Sequence, residues 1–162
     1  MKKISKILIL FIILVNFSSC TGYTPIFSSS SLDFKIANYS ILGDKKIGNR
    51  IYSKLNYLSE RTKESPNLKS IEISINSKKS KSATAKDKTG KILAYKINLS
   101  TSIIVKDSIT GDLILNNKFT SSSSYDIQSQ YSETLKRENK SIENLIDRTF
   151  EDLLIRLSEN IS

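Results

Sequence analysis

The feature that most restricts the fold is a long alternation in the middle of the chain. Leu93, Tyr95, Ile97, Leu99, Thr101, Ile103 and Val105 occupy every second position, with mostly polar residues between them. Period two is the side-chain period of a β-strand, so this strand has one apolar and one polar side. Upstream, Ile71, Ile73 and Ile75 alternate with Glu72, Ser74 and Asn76; downstream, Leu113, Leu115, Asn117 and Phe119 lead through Ser121 to Ser124 and on to Tyr125. The serine-rich continuation predicts a strand end that runs past the core. Between the runs lie Asp87-Lys88-Thr89-Gly90 and Asp107-Ser108-Ile109-Thr110-Gly111, hairpin loops in which glycine supplies positive φ. Three strands joined this way are antiparallel neighbours, and their apolar face has to be covered.

Helices flanking the strands supply the cover. Ile47, Ile51, Leu55 and Leu58 recur at steps of four, four and three, which stacks them on one helix face with Lys46, Arg50, Lys54 and Glu60 off it. Gly43-Asp44 predicts the stop and N-cap before this helix, and Pro66 its end. The stronger stripe is Ile142, Leu145, Ile146, Phe150, Leu153, Leu154 and Leu157, which Tyr131 and Leu135 extend backwards. Ahead of the first helix, Leu32, Phe34 and Ile36 alternate with Asp33 and Lys35, a short strand over 32–39. The predicted class is therefore α+β: a two-layer sandwich with two helices on one face of a four-stranded mixed sheet, in the order β-α-β-β-β-α. The opposite sheet face keeps Asn, Ser, Lys and Thr, and is either solvated or the surface a partner uses.

The residues before 32 are of another kind. Lys2, Lys3 and Lys6 precede an apolar run from Ile7 to Val15, the charged and apolar regions of an export signal. That run is too short to span a bilayer. Ser18 and Ser19 then precede Cys20, the only cysteine, as in the lipobox cut by the lipoprotein signal peptidase, with Phe17 where leucine is usual. A disulfide needs a second cysteine, and acylation uses up a thiol that would otherwise be exposed to oxidation. The expected organisation is a signal peptide over 1–19, an acylated Cys20 and tether over 20–31, and a single domain over 32–162. Pro25 and the run Ser28 to Ser31 suit a tether, in which Tyr23, Ile26 and Phe27 are expected to dock on the domain. Lipoproteins of this type carry three acyl chains, a permanent anchor, since two already hold a membrane stably. Thr21 after the cysteine matches outer-membrane sorting.

Composition narrows the chemistry. Of the 25 basic residues three fall in the signal, leaving 22 against 16 acidic. A positive balance attracts nucleic acid, anionic lipid or acidic glycan, and export removes nucleic acid. The chain has no histidine and no tryptophan, and its one methionine is Met1. Imidazole or thiolate metal sites and Ser-His or Cys-His nucleophiles are thereby excluded. The acids are scattered among lysines, and the five glycines form no phosphate loop. No cofactor and no enzymatic role are expected.

The lipoprotein signal, the patch Gly22-Tyr23-x-Pro25-Ile26-Phe27, the strand trio with Thr-Gly hairpins, the Ala94-Tyr95 step and the closing amphipathic helix resemble the LPS-assembly lipoprotein LptE family. The likeness covers nearly the whole chain in layout, with Thr21 inserted where the family places glycine directly after the cysteine. It implies a non-enzymatic lipoprotein on the periplasmic face of the outer membrane, seated in the β-barrel LptD, helping it assemble and contacting lipopolysaccharide. A generic envelope lipoprotein that scaffolds another complex is the alternative. Under the family reading a lipopolysaccharide contact should be basic. The densest basic cluster is Lys78, Lys79, Lys81, Lys86, Lys88 and Lys91. Beside it stands the bland reading, in which lysines guard a strand edge against stray pairing.

Overall fold

The computed structural model describes residues 32–61 and 68–161. The readings for the signal, Cys20, the tether and the stop at Pro66 lie outside the described residues. Six elements follow in the predicted order: β1 (Phe34–Gly43), α1 (Lys45–Arg61), β2 (Lys69–Lys86), β3 (Ile92–Asp107), β4 (Leu113–Asp126) and α2 (Tyr131–Ile161). They form one mixed sheet in the order β1-β2-β3-β4, with β1 parallel to β2 and the other pairs antiparallel. The α+β class and its element order stand as expected.

β1 is longer than its sequence alternation suggests, and a bulge explains the difference. Ile36 pairs with Ile71 and Asn38 with Glu72, so Ala37 is an extra residue. An extra residue reverses the side-chain parity. The inward residues are thus Phe34 and Ile36 before the bulge and Tyr39 and Ile41 after it. Tyr39 stacks on Tyr52 of α1 at a ring separation of 3.9 Å.

β1 ends where its backbone must turn. Gly43 has φ +72°, and a Cβ there would lie 2.2 Å from the carbonyl oxygen of Ser77. Only glycine fits such an approach. The next amide, of Asp44, donates to that same oxygen at 2.7 Å, and the Asp44 carboxylate accepts from the Ile47 amide at 3.2 Å. That bond makes Asp44 the expected N-cap.

The core lies between the sheet and the two helices. Ile47, Ile51 and Leu55 of α1 and Leu145, Ile146, Leu153, Leu154 and Leu157 of α2 bury themselves on Ile71, Ile73, Ile75, Ile97, Leu99, Ile103 and Val105. Arg50 pairs with Glu143, and Lys54 with Asp147 at 2.9 Å, joining the helices through residues four apart on each. Tyr131 and Leu135 do belong to α2, but both are exposed rather than part of its buried stripe. Half-buried Thr134 and Glu138 and buried Ser141 face the sheet there instead.

Candidate functional site

The candidate site is the part of the sheet that β1 leaves uncovered. Pairing of β1 with β2 stops at Gly43 and Ser77, whereas β2 runs on to Lys86 beside β3, and β3 stays paired with β4 out to Ala94 and Asp126. Among the described residues, β2 from Lys78 to Lys86 has a strand neighbour on one side only. The result is a three-stranded arm, about 30 Å long at ~3.3 Å per residue. α1 begins at the foot of this arm and runs the other way, so only the first half of α2 lies against it.

The arm carries the six lysines in three places. Lys78 shares the polar face with Ser80 and Ser82; Lys79 and Lys81 point to the helix side; Lys86, Lys88 and Lys91 surround the β2–β3 turn. Asp87 sits in the same turn and is in no salt bridge among the described residues. Its carboxylate accepts from the Thr89 amide and hydroxyl and from the Lys91 amide, at 2.7 to 3.0 Å. The Thr89 hydroxyl, then the Thr89 and Lys91 amides and the Lys91 charge, outweigh desolvation and hold the carboxyl below its ordinary pKa. The ionised acid shapes the loop and offsets one of its three lysine charges.

Lys81 differs from the other five. Its Nζ is 2.6 Å from Glu138 Oε2, which also accepts from the Tyr125 hydroxyl at 2.7 Å. The same ammonium lies 4.3 Å from the centre of the Tyr95 ring and 5.4 Å from that of Tyr125. Burial works against the charge on Lys81, but the hydrogen bonds with Glu138 and Tyr125 outweigh it and raise the pKa. Burial would likewise raise Glu138, and the bonds from Lys81 and Tyr125 bring it down instead. Burial, and then the neighbouring Glu138 against the opposing Lys81, lifts Tyr125. Lys81 is therefore a clamp that fastens the first turns of α2 to the arm. Among the described residues, Lys78, Lys79, Lys86, Lys88 and Lys91 are in no salt bridge.

Sequence reasoning misses Glu138, and it reads Tyr95 only as part of the alternation and the family's pattern and Tyr125 only as a strand end. Glu138 is 57 positions from Lys81, and nothing local announces the pair. The alternation did place Tyr95 on the apolar side, and its cross-strand partner is Tyr125.

Behind the arm, the sheet face away from the helices is a field of small polar groups. Ser74, Asn76, Asn98, Ser100, Ser102, Asn116, Thr120 and Ser122 share it, with Ile104 and Leu42 as its apolar members. A groove of about 240 Å³ opens there between Asn38, Ser40, Glu72, Ser74, Ile104 and Lys106. A second, of about 440 Å³, lies between β4 and the end of α2, from Asn117–Thr120 to Asp152 and Glu159. Neither groove is lined by any of the six lysines. Among the described residues no three of His, Cys, Asp and Glu gather as for a metal ion, and no helix is long and apolar enough to cross a membrane.

Comparison with known proteins places the fold. No family model matches the chain, and no curated protein matches it in sequence. Solved structures do. A candidate lipoprotein from Caulobacter crescentus CB15 is similar over 81% of this chain and 92% of its own, with a TM-score of 0.57 at 12% identity. An uncharacterised lipoprotein B from Nitrosomonas europaea gives a TM-score of 0.54 at 12% identity over 83% and 88%. The rare lipoprotein B of Shewanella oneidensis gives 0.51 at 12% over 75% and 94%. The domain thus has the fold of these bacterial lipoproteins, and they are of nearly its size.

Proposed function

We propose that the chain is an outer-membrane lipoprotein, acylated at Cys20, that partners an LptD-type β-barrel in lipopolysaccharide assembly and transport to the cell surface. It acts as plug, assembly factor and lipopolysaccharide-contacting subunit, without catalysis. The observation that carries this reading is the arm. Lys86, Lys88 and Lys91, in no salt bridge among the described residues, sit at the end of the sheet opposite the point where the chain enters at Leu32, with Lys78 and Lys79 at the foot of the arm, and phosphates and acidic sugars are what such a cluster attracts.

The dimensions agree with the role. β2 has 18 residues, about 60 Å at ~3.3 Å per residue, against a hydrocarbon core of about 30 Å. A domain whose entry end stays at the anchored leaflet is long enough to bring Lys86, Lys88 and Lys91 to the level of the opposite one. A wet barrel interior would accept the serine- and asparagine-rich face, whose side chains exchange water for other polar partners at little cost. Lys81 belongs to the clamp, so the ligand contacts fall to the lysines around the turn.

The test is charge reversal of Lys86, Lys88 and Lys91 to glutamate, with binding of purified lipopolysaccharide measured at two salt concentrations. Binding should fall and lose its salt dependence while the melting temperature stays put. Unchanged binding would overturn the assignment of the turn.

A further inference from the structure

We propose that, while the chain is free of its barrel, the β3–β4 hairpin, residues 107–113, rests on the leaflet that holds the acyl anchor, with Ile109 and Leu113 entering its headgroup region. This rests on the reading of Cys20 as the anchored residue. Ile109 is 85% exposed, the most exposed large apolar side chain among the described residues, and Leu113 is 58% exposed. Single exposed apolar residues are common on soluble proteins. Their position is what sets these two apart.

The hairpin lies at the end of the domain where the chain enters. The Lys69 amide donates to Asp33 at 3.1 Å and the Ser108 amide to Ser70 at 2.9 Å, which binds the residues after Leu32, the start of β2 and this turn together. α1 returns to the same end, and there Tyr57 is 67% exposed. From Cys20 to Leu32 a chain can reach at most about 40 Å at ~3.5 Å per residue. The entry end is therefore held near the membrane, while the lysine turn stands at the far end of β2. A tether this short gives an effective concentration on the order of millimolar, enough to populate a weak contact.

The hairpin is built to present Ile109. The Asp107 carboxylate accepts from the Ile109 and Thr110 amides at 2.8 and 3.1 Å, and the Asp107 amide donates back to Asp112 at 2.9 Å. The turn needs Asp107 and Gly111, but the side chain at 109 makes no part of it, and a polar residue would serve the fold as well. Lys69 and Lys106 are balanced by Asp107 and Asp112, so the contact is apolar and should not depend on salt.

The experiment uses the acylated chain beginning at Cys20, reconstituted without other proteins into phosphatidylethanolamine–phosphatidylglycerol vesicles. Acylation consumes the native cysteine, so Ile109→Cys or Lys88→Cys takes an environment-sensitive fluorophore at one place. A blue shift and quenching by lipid-borne nitroxide are expected at 109 and neither at 88. Vesicle flotation reads the anchor separately. A chain that floats with position 109 still in water overturns the docking alone, including when 109 becomes buried only after a protein partner is added. A chain that does not float overturns the anchor reading and the docking with it.

Discussion

Replacing Gly48 by alanine sets two effects of similar size against each other. In the interior of an exposed helix the change would stabilise by about 1 kcal/mol, because glycine gives up the most backbone freedom. Gly48 lies in α1 and is buried. An added Cβ would meet Ile41 Cγ2 at 2.5 Å, with Ile75 Cγ2 at 3.8 Å behind it. Ile41 is on a strand hydrogen-bonded to β2 and its Cγ2 sits on a branched carbon, so relief requires the helix to lift from the sheet. Overpacking of this kind costs about 1–3 kcal/mol. The net expectation is a loss of about 1 kcal/mol, or roughly 4 °C in melting temperature for a domain of this size. The assay is urea unfolding followed by circular dichroism, on Gly48→Ala, Ile41→Ala and the double variant. Removing Cγ2 should turn Gly48→Ala from a loss into a gain, a coupling of about 1–3 kcal/mol. If Gly48→Ala stabilises the otherwise unchanged protein, the close approach of α1 to β1 is wrong.

The remaining expectations concern the clamp, the sheet and the cap. Glu138→Gln should cost about 1 kcal/mol, as a partly exposed pair with one added hydrogen bond does, and should speed amide exchange across residues 131–140. Because the folded pKa of Glu138 is lowered, its stabilisation is full above the unfolded value and fades as pH falls through the folded one. Lys81, whose pKa is raised, loses its share only as pH climbs through that raised value. The glutamine variant should therefore show a flatter acid limb in a plot of stability against pH, and an identical limb would refute the clamp. Ser121 Oγ is buried without a hydrogen-bond partner among the described residues, so Ser121→Ala should leave the urea midpoint unchanged or raise it. A marked drop would mean that the hydroxyl has a partner after all. Asp44→Ala should cost about 1 kcal/mol through loss of the cap, read in the same unfolding assay.

Much of the architecture was legible because it is periodic. The inward sides of β2 and β3 and the stripes of both helices follow from single-strand and single-helix spacing; most of the residues those spacings select are buried, while Leu93, at the arm's tip, is exposed and Leu58, Tyr95, Ile142 and Phe150 are partly buried. The sequence alternation ends β1 early because the bulge at Ala37 switches its parity, which sets Tyr39 and Ile41 out of step with Phe34. Tyr131 and Leu135 fit the helical stripe yet stay exposed, because α2 there lies over the arm, where Ser121 and Ser123 replace large apolar residues. The basic cluster was visible as composition. Its geometry was not, since the unpaired edge exists only because β1 stops at Gly43. Nor was the separate role of Lys81, which depends on Glu138 arriving from a helix that follows two strands later.

The most direct test of the central claim is purification of the C-terminally tagged chain from outer membranes in mild detergent, with identification of what accompanies it. A large β-barrel in one-to-one amount is the predicted result. Recovery of the chain alone, or with periplasmic proteins and no barrel, would contradict it and leave a lipoprotein fold serving another complex.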